Sequence, residues 1–373
     1  MTVNASFAGF WRDVVTVGIS AERARHLGTI VWYGSIAALI TSVAAIFGLR
    51  WISRAKAHGL ESRPDPSTDY ATALKRLDQL KALDDDTVNP VCLSRGLLHG
   101  GKTRRAVVLI HGLTNCPQQW APFADLLHAR GINVLLPRMP HHGLADRLTT
   151  DLGNLRAEEL RDFGDRVVDI AAGLGDEVVL AGISAGGIVA AWAGQYRPEL
   201  AKSVLIAPSL GLGAFGGRAQ LLFMNIGLAL PDIATQKFTK VDMAMPYAYV
   251  GWSSRALGEV LRFGLATFLA AMKERPAVQN LLVVTNANDP AVNNSITRQL
   301  VSLWQARGLQ QVSFYEFDRR EGLEHDLVDP NNPKQRVDLV YPILLDLLTR
   351  DDVPGVTADR PGAPREVAGR VGA

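Results

Sequence analysis

Cysteine is scarce in this chain of 373 residues, which contains only Cys92 and Cys116. Two cysteines are too few for a secreted scaffold held together by disulfides, or for a structural zinc site made of cysteines. They either form one disulfide or remain two buried thiols, and the sequence leaves both possibilities open. An excess of charge of one sign is also missing, because 39 lysines and arginines face 37 aspartates and glutamates. Without a basic surface field, nucleic acid is not an expected partner.

The composition is that of a folded protein with a hydrophobic core. Hydrophobic residues make up 47% and charged residues 20% of the chain, close to the averages for globular proteins. This balance excludes a chain that is disordered throughout. At roughly 150 residues per domain, the length allows one large domain or two of ordinary size.

A long uncharged stretch covers residues 27–49, LGTIVWYGSIAALITSVAAIFGL. As a helix it would reach about 34 Å, enough to cross a hydrocarbon core of roughly 30 Å. Trp32, Tyr33 and Trp51 lie near its ends, where aromatic side chains favour the membrane interface. The stretch therefore predicts a single-pass transmembrane helix with the bilayer as a partner, and a buried core helix or a cleaved signal peptide are the alternatives. Basic residues flank it too evenly to decide its orientation.

The remainder of the chain divides into segments of different composition. After the apolar stretch comes a charged region with two prolines, and the C-terminal end mixes proline with small and charged residues, which is typical of disorder. The predicted segments are an N-terminal segment at 1–26, the transmembrane helix at 27–49, a juxtamembrane linker and helix at 50–89, the main domain at 90–350 and a disordered tail at 351–373.

Within the main domain, short apolar runs alternate with longer helical patterns. The predicted strands are 106–110, 132–136, 177–181, 203–207, 281–285 and 312–317, and the predicted helices between or after them are 117–130, 153–174, 186–197, 291–306 and 334–349. Nearly continuous apolar strands separated by helices indicate a mostly parallel sheet with helices on both faces. One insertion, at about 211–276, is far longer than a single crossover connection needs. Its interrupted apolar runs predict a helical cap over the carboxyl ends of the strands.

The segment Gly182-Ile183-Ser184-Ala185-Gly186 matches the pattern G-x-S-x-G. A predicted strand leads into it and a predicted helix leads out, which is the setting of a nucleophile on a sharp turn. Small residues at both ends prevent clashes in such a turn, and the helix N-terminus faces developing negative charge. This context favours Ser184 as a nucleophile over an incidental serine in a glycine-rich turn.

A serine nucleophile needs a base, and the base needs an acid that fixes its tautomer. Of the eight histidines, only His325 follows Ser184 in the chain, and it lies in a loop after a predicted strand. Asp289 directly follows the preceding predicted strand and is the expected acid. A solvated loop histidine and an aspartate that merely caps the helix at 291 are the alternatives. The other acids nearby are too close to His325 in sequence to be the first choice, namely Glu316, Asp318, Glu324 and Asp326.

The negative oxygen formed in acyl transfer needs backbone N–H donors. We expect one from Ala185, directly after the nucleophile, and one from Leu113 in the loop after the strand at 106–110, where Gly112 lets the backbone turn inward. His111 in that loop is expected to be packed and hydrogen-bonded rather than catalytic. His141, His142 and Asp146, in a single short loop, are too few to predict a metal site.

These motifs together resemble the α/β-hydrolase superfamily, in particular its bacterial carboxylesterase and monoacylglycerol-lipase-like branch. The resemblance covers about residues 90–350 and rests on VVLIHGLTNCP at 107–117, NVLLPRMPHHG at 133–143, LAGISAGG at 180–187, NAND at 286–289 and GLEHD at 322–326. It implies the α/β-hydrolase fold and hydrolysis of a carboxylic ester through an acyl-enzyme, without a metal or organic cofactor.

The sequence is therefore interpreted as a membrane-anchored serine hydrolase acting on short to medium acyl esters or monoacylglycerol-like lipids. Leu222, Phe223 and Leu228 of the cap are candidate acyl-binding residues, since burial of acyl methylenes is favourable by about 0.8 kcal/mol each. The alternative for the cap is that it only covers the sheet. A thioesterase or acyltransferase would use the same triad, and a non-catalytic membrane scaffold with this fold is a further alternative. The sequence does not indicate an oligomeric state.

Overall fold

The computed structural model describes residues 21–213, 215–236 and 244–350. The predicted disordered tail at 351–373 and most of the N-terminal segment lie outside these residues. The chain divides into two compact units, Met1–Ile52 and Ser53–Ala373. The described part of the first unit belongs to one long helix, α1, Ala21–Lys56.

The predicted transmembrane stretch, residues 27–49, lies inside α1. Among the residues that the structure describes, no helix is long and apolar enough to cross a membrane.

The second unit is built on a mostly parallel sheet of seven strands. Its strands, in spatial order, are β1 Arg95–Leu97, β3 Asn133–Leu136, β2 Thr103–Ile110, β4 Gly175–Ile183, β5 Leu200–Ile206, β8 Asn280–Asn286 and β9 Gln311–Phe317. All neighbouring pairs are parallel except β1 with β3. The six predicted strands are thus present, and β1 is an edge strand of three residues that the sequence analysis missed.

Helices cover both faces of this sheet. The described helices of the unit are α2 Tyr70–Lys81, α3 Ala121–His128, α4 Ala157–Ala172, α5 Ala185–Tyr196, α6 Gly217–Ala229, α7 Ser254–Ala271, α8 Asn294–Ala306 and α9 Val337–Thr349. Successive residues of a strand point to opposite faces, and in β2 Val108 and Ile110 join one hydrophobic cluster whereas Val107 and Leu109 join another. The first cluster includes α4, α5, α7 and α8, and the second includes α3 and α9.

The segment between α1 and α2, predicted to be a linker, packs on α4 and α5 of the second unit. Leu60 is only 1% exposed, and its carbonyl accepts a hydrogen bond from the buried Trp192 indole at 2.7 Å. The carboxylate of Asp165 on α4 accepts from the hydroxyl of Ser62 and from the backbone N–H of Arg63. A proline-rich stretch makes few backbone hydrogen bonds of its own, so α4 and α5 supply its partners. The compact unit therefore begins at Ser53 and not at residue 90.

The insertion at about 211–276 has two parts of different character. Its first part contains α6 and a small ribbon of two strands, β6 Ala234–Gln236 and β7 Gly251–Ser253. Its second part is α7, in which Phe263 is fully buried and packs on Trp192 with ring centroids 5.3 Å apart. The prediction of a cap over the strand ends was therefore wrong for α7, because its buried residues join the same hydrophobic cluster as those of α5.

Candidate active site

The predicted nucleophile occupies the sharp turn between β4 and α5. Ser184 has φ 57° and ψ −114°, a strained conformation for a residue with a side chain. A Cβ atom on Gly182 would lie 2.1 Å from the carbonyl oxygen of Gly186, and one on Gly186 would lie 2.4 Å from that of Ile110. Only glycine fits at these two positions, which explains the residue pattern around the serine.

Ser184, His325 and Asp289 form a continuous chain of hydrogen bonds. The Oγ of Ser184 is 2.8 Å from Nε2 of His325, and Nδ1 of His325 is 2.7 Å from Oδ2 of Asp289. Because an ionised carboxylate only accepts, Nδ1 carries the proton and Nε2 is free to accept from the serine. The Asp289 side chain is 0% exposed and that of His325 is 26% exposed, so the predicted base is partly exposed while the carboxylate beside it is buried.

The next helix begins at Asn294 with Asn293 as its N-cap, so the alternative that Asp289 merely caps a helix at 291 was wrong for this aspartate. Its Oδ2 faces His325, whereas its Oδ1 accepts from the backbone N–H groups of Ala291 and Val292 at 2.8 and 3.2 Å. The carboxylate that orients the histidine is therefore fixed by the turn that follows β8. The nearby acids are engaged elsewhere, since Glu316 pairs with Arg298 and Asp318 with Arg320.

A second serine, which the sequence analysis missed, contacts the predicted nucleophile. The Oγ of Ser209 is 2.7 Å from that of Ser184, and the backbone N–H of Ser209 donates to the carbonyl of Ser184 at 3.1 Å. Ser209 follows β5, the strand next to β4, so the carboxyl ends of two parallel strands bring the hydroxyls together. With Ser209 as donor, the proton of Ser184 is directed to His325.

The loop after β2 lies against the nucleophile. A Cβ built on Gly112 would be 3.6 Å from the Cβ of Ser184. The N–H of Gly112 donates to Oε1 of Gln119 at 2.9 Å, so the next donor along this loop is Leu113. The other predicted oxyanion donor, Ala185, is the first residue of α5, where the helix supplies no acceptor for its N–H.

Two fully buried histidines stand behind this loop. His111 accepts from the N–H of Met139 at Nε2, and its Nδ1 lies 2.9 Å from the carbonyl of Gly112. Nδ1 of His142 lies 2.7 Å from the carbonyl of Pro140. Burial lowers the pKa of His111 well below its ordinary value and that of His142 to about 4, so both rings are neutral near pH 7. His111 is thus packed and hydrogen-bonded, as the sequence predicted.

His141, the third histidine near this loop, is held between two acids. Its Nδ1 is 2.9 Å from Asp151 and its Nε2 is 3.2 Å from Glu159. In the part of the chain that the structure describes, no group of three or more His, Cys, Asp or Glu side chains could hold a metal ion.

The insertion reaches the loop after β2 through a short segment, 245–250, that the sequence analysis did not single out. The N–H of Tyr249 donates to the carbonyl of Thr114 at 2.8 Å, and the hydroxyl of Tyr247 donates to Asp329 at 2.6 Å. No residue pattern indicated these tyrosines, because their partners are distant in sequence.

The three candidate acyl-binding residues lie on α6. Leu222 is 51% exposed, and the ring of Phe223 stacks on Phe215. Leu228 packs against α7, with its Cγ 3.3 Å from the Cβ position of Gly258. These contacts join them to the insertion itself and to α7, and none of them extends to Ser184.

Cys92 and Cys116 form a disulfide with Cα atoms 5.3 Å apart. It links the short helical turn Pro90–Cys92 to the end of the loop after β2. The choice that the sequence left open between a disulfide and two thiols is thereby decided.

The model of the alpha/beta hydrolase family matches residues 107–338, well over half of the chain. The chain belongs to this family. The mostly parallel sheet with helices on both faces, which the sequence predicted, agrees with this membership. No curated protein sequence matches the chain.

Solved structures of this hydrolase fold resemble the chain at low sequence identity. The monoacylglycerol lipase of Paleococcus ferrophilus is 17% identical, with a TM-score of 0.53 over 68% of this chain and 97% of that one. A structure from work on the metagenome-derived lipolytic enzymes LipS and LipT is 17% identical, with a TM-score of 0.49 over 70% and 98%. A monoglyceride lipase variant from Saccharomyces cerevisiae is 13% identical, with a TM-score of 0.49 over 68% and 89%. At these identities the likeness concerns the fold.

Proposed function

We propose that this α/β-hydrolase is a serine hydrolase that cleaves carboxylic esters through an acyl-enzyme. One observation carries the proposal, namely the hydrogen-bonded chain from Ser184 through His325 to the buried Asp289. A serine on a strained turn, an imidazole nitrogen 2.8 Å from its hydroxyl and a carboxylate that fixes the imidazole tautomer are what nucleophilic acyl transfer requires.

In the proposed mechanism, Ser184 attacks the acyl carbonyl while Nε2 of His325 takes its proton. Asp289 keeps Nδ1 protonated and stabilises the imidazolium that forms. The N–H groups of Leu113 and Ala185 hold the negative oxygen of the tetrahedral intermediate. His325 then protonates the leaving alcohol, and water repeats the attack on the acyl-enzyme to release the acid.

For the substrate we propose short to medium acyl esters or monoacylglycerol-like lipids. The similar structure from Paleococcus ferrophilus is that of a monoacylglycerol lipase, and the insertion near the site is rich in apolar side chains. A thioester or a second alcohol as acyl acceptor would engage the same groups. A panel of p-nitrophenyl esters, monoacylglycerols and acyl thioesters, assayed with and without an added alcohol, separates these possibilities.

The nucleophile is tested with Ser184→Ala. This variant should lose covalent labelling by a fluorophosphonate probe and about 10³-fold or more of kcat on p-nitrophenyl butyrate. Its fold should persist, because removal of one hydroxyl from a partly exposed turn leaves little cavity. Ser302→Ala, on the exposed side of α8, is the matched control and should label and turn over like the wild type. A Ser184→Ala protein that keeps most of its activity would contradict the proposal.

A further inference from the structure

The side chain of Gln119 joins the two loops that carry the proposed chemistry. It is buried, with 3% of its surface exposed, and lies in the short helical turn Pro117–Trp120. This turn follows the loop after β2, residues 111–116, which we call the oxyanion loop because of the proposed role of Leu113. The Oε1 of Gln119 accepts from the backbone N–H of Gly112 at 2.9 Å. Its Nε2 donates to Oδ1 of Asp326 at 3.1 Å.

Each end of this bridge lies beside a residue of the proposed mechanism. Gly112 directly precedes Leu113, the proposed oxyanion donor, and Asp326 directly follows His325, the proposed base. One planar amide therefore fixes the separation of the two loops. We propose that Gln119 is a positioning residue that holds the oxyanion loop at the distance from His325 that acyl transfer needs, an inference that rests on the proposed function.

The hydrogen-bonding groups of Gly112 and Asp326 explain why the residue at position 119 is an amide. The Gly112 N–H requires an acceptor, whereas Asp326 requires a donor, and at pH 8 only glutamine among side chains of this length offers both, because glutamate is then ionised and only accepts. Asp326 cannot turn away, because its Oδ1 also accepts from the backbone N–H groups of Val328 and Asp329 at 3.1 and 3.2 Å. The bridge thus connects two rigid backbone turns rather than two mobile side chains.

A neighbouring contact runs between the same loops. Nδ2 of Asn115 donates to Oδ2 of Asp329 at 3.0 Å, and both side chains are buried. Asn115 is two residues beyond Leu113, and Asp329 is four residues beyond His325. This second contact keeps the loops together when the Gln119 bridge is altered, so that substitution of Gln119 changes alignment more than folding.

Gln119→Glu converts the bridge into a pH-dependent one. At pH 8 a carboxylate at 119 would face the carboxylate of Asp326 without a proton between them. Their repulsion would shift Gly112 relative to Asp326, while the contact between Asn115 and Asp329 keeps the two loops joined. As the pH falls, one shared proton restores a donor to Asp326 while the other carboxylate oxygen still accepts from Gly112. Other titratable groups also lie near the carboxylate of Asp326, namely Asp329, Tyr247 and Tyr341, with His325 adjacent in the chain. These groups are the same in the variant and the wild type, so the ratio of the two kcat values reports the change at position 119.

The experiment compares kcat and KM of Gln119→Glu with those of the wild type from pH 5 to pH 8 on p-nitrophenyl butyrate. We expect kcat to fall about 10- to 100-fold at pH 8 with KM changed less than about twofold, and the ratio to the wild type to recover as the pH falls. The matched control is Gln118→Glu, the same substitution one residue away, where the side chain accepts from Arg95; it should behave like the wild type at every pH.

Gln119→Met has a side chain of similar volume that makes neither hydrogen bond. It replaces Gln119→Glu as the test variant if Gln119→Glu does not fold. It should show the same loss of kcat with no recovery at low pH. Wild-type kcat at pH 8 in either variant, or a loss in Gln119→Glu that is the same at every pH, would overturn the proposal. If Ser184→Ala is inactive in the same assay, such a result rejects only the positioning role of Gln119. If Ser184→Ala is active, the proposed function itself is rejected.

Discussion

The two buried histidines behind the oxyanion loop have pKa values below the ordinary value for histidine, so their protonation opposes folding. His142 has no exposed surface, and its Nε2 has no hydrogen-bond partner in the described structure. Because the ring lies away from water, burial lowers its pKa to about 4. In the unfolded chain its pKa is about 6.5, so the unfolded state binds a proton first as the pH falls.

This difference predicts a loss of stability in acid. The contribution of His142 is complete above pH 6.5 and is lost as the pH falls towards 4, by up to about 3 kcal/mol. His142→Asn keeps an N–H donor near the carbonyl of Pro140 but does not titrate. Urea unfolding at pH 7 and pH 4.5 should therefore show a smaller loss for the variant than for the wild type.

Asp326 acts in the opposite direction in both proteins, since burial and the charge of Asp329 raise its pKa to about 6. Its contribution cancels when the wild type and His142→Asn are compared at the same pH. Equal losses of stability in the two proteins would contradict the assignment to His142.

At the scale of elements, the disulfide joins the helical turn Pro90–Cys92 to Cys116, which directly precedes the helical turn Pro117–Trp120. Cys92 and Cys116 enclose a sequence separation of 24 residues, which contains β1 and β2 and the oxyanion loop. Closing a loop of that length in the unfolded chain stabilises the folded state by about 3.5 kcal/mol in the chain-entropy model.

Removal of this link is therefore expected to lower the free energy of unfolding by about 3 kcal/mol. The double variant Cys92→Ala/Cys116→Ala should unfold at lower urea concentration than the oxidised wild type. Wild-type protein treated with dithiothreitol is the control and should approach the double variant, which itself should not respond to the reductant. A reductant that leaves the wild-type midpoint unchanged would speak against the disulfide.

At the scale of the molecule, the hydrolase unit begins earlier in the chain than the sequence predicted, at Ser53 and not at residue 90. Residues 53–66, taken from the sequence as linker, include the buried Leu60 and the partners of Trp192 and Asp165. The cost of leaving one leucine-sized site empty is about 2–5 kcal/mol.

We therefore expect a chain that begins at Ser53 to match the full-length protein in stability and in activity on a water-soluble ester. A chain that begins at Ser67 should be less stable by several kcal/mol, because the surface that covers α4 and α5 is missing. Guanidinium unfolding of both chains measures the difference. Equal stability of the two would show that residues 53–66 contribute nothing to the unit.

The sequence by itself determined the features that depend on local geometry. The turn at Ser184 needs glycine at 182 and 186 because a side chain would strike the backbone there, and the apolar runs around it have the length of buried strands. Chain order then selected His325, and the end of a strand selected Asp289, which the structure brings within hydrogen-bonding distance of each other. Their catalytic roles stay predictions.

Tertiary structure alone decided the contacts between residues that are far apart in the chain. Gln119 meets Asp326 across 207 residues, and Leu60 meets Trp192 across 132. Neither contact can be predicted from the sequence, because a single side chain that contacts a distant segment leaves no periodic pattern in the residues around it. The same holds for the contact of Ser209 with Ser184, for the position of α7 in the core and for the pairing of the cysteines. Each of these depends on which strands and helices are neighbours in the fold.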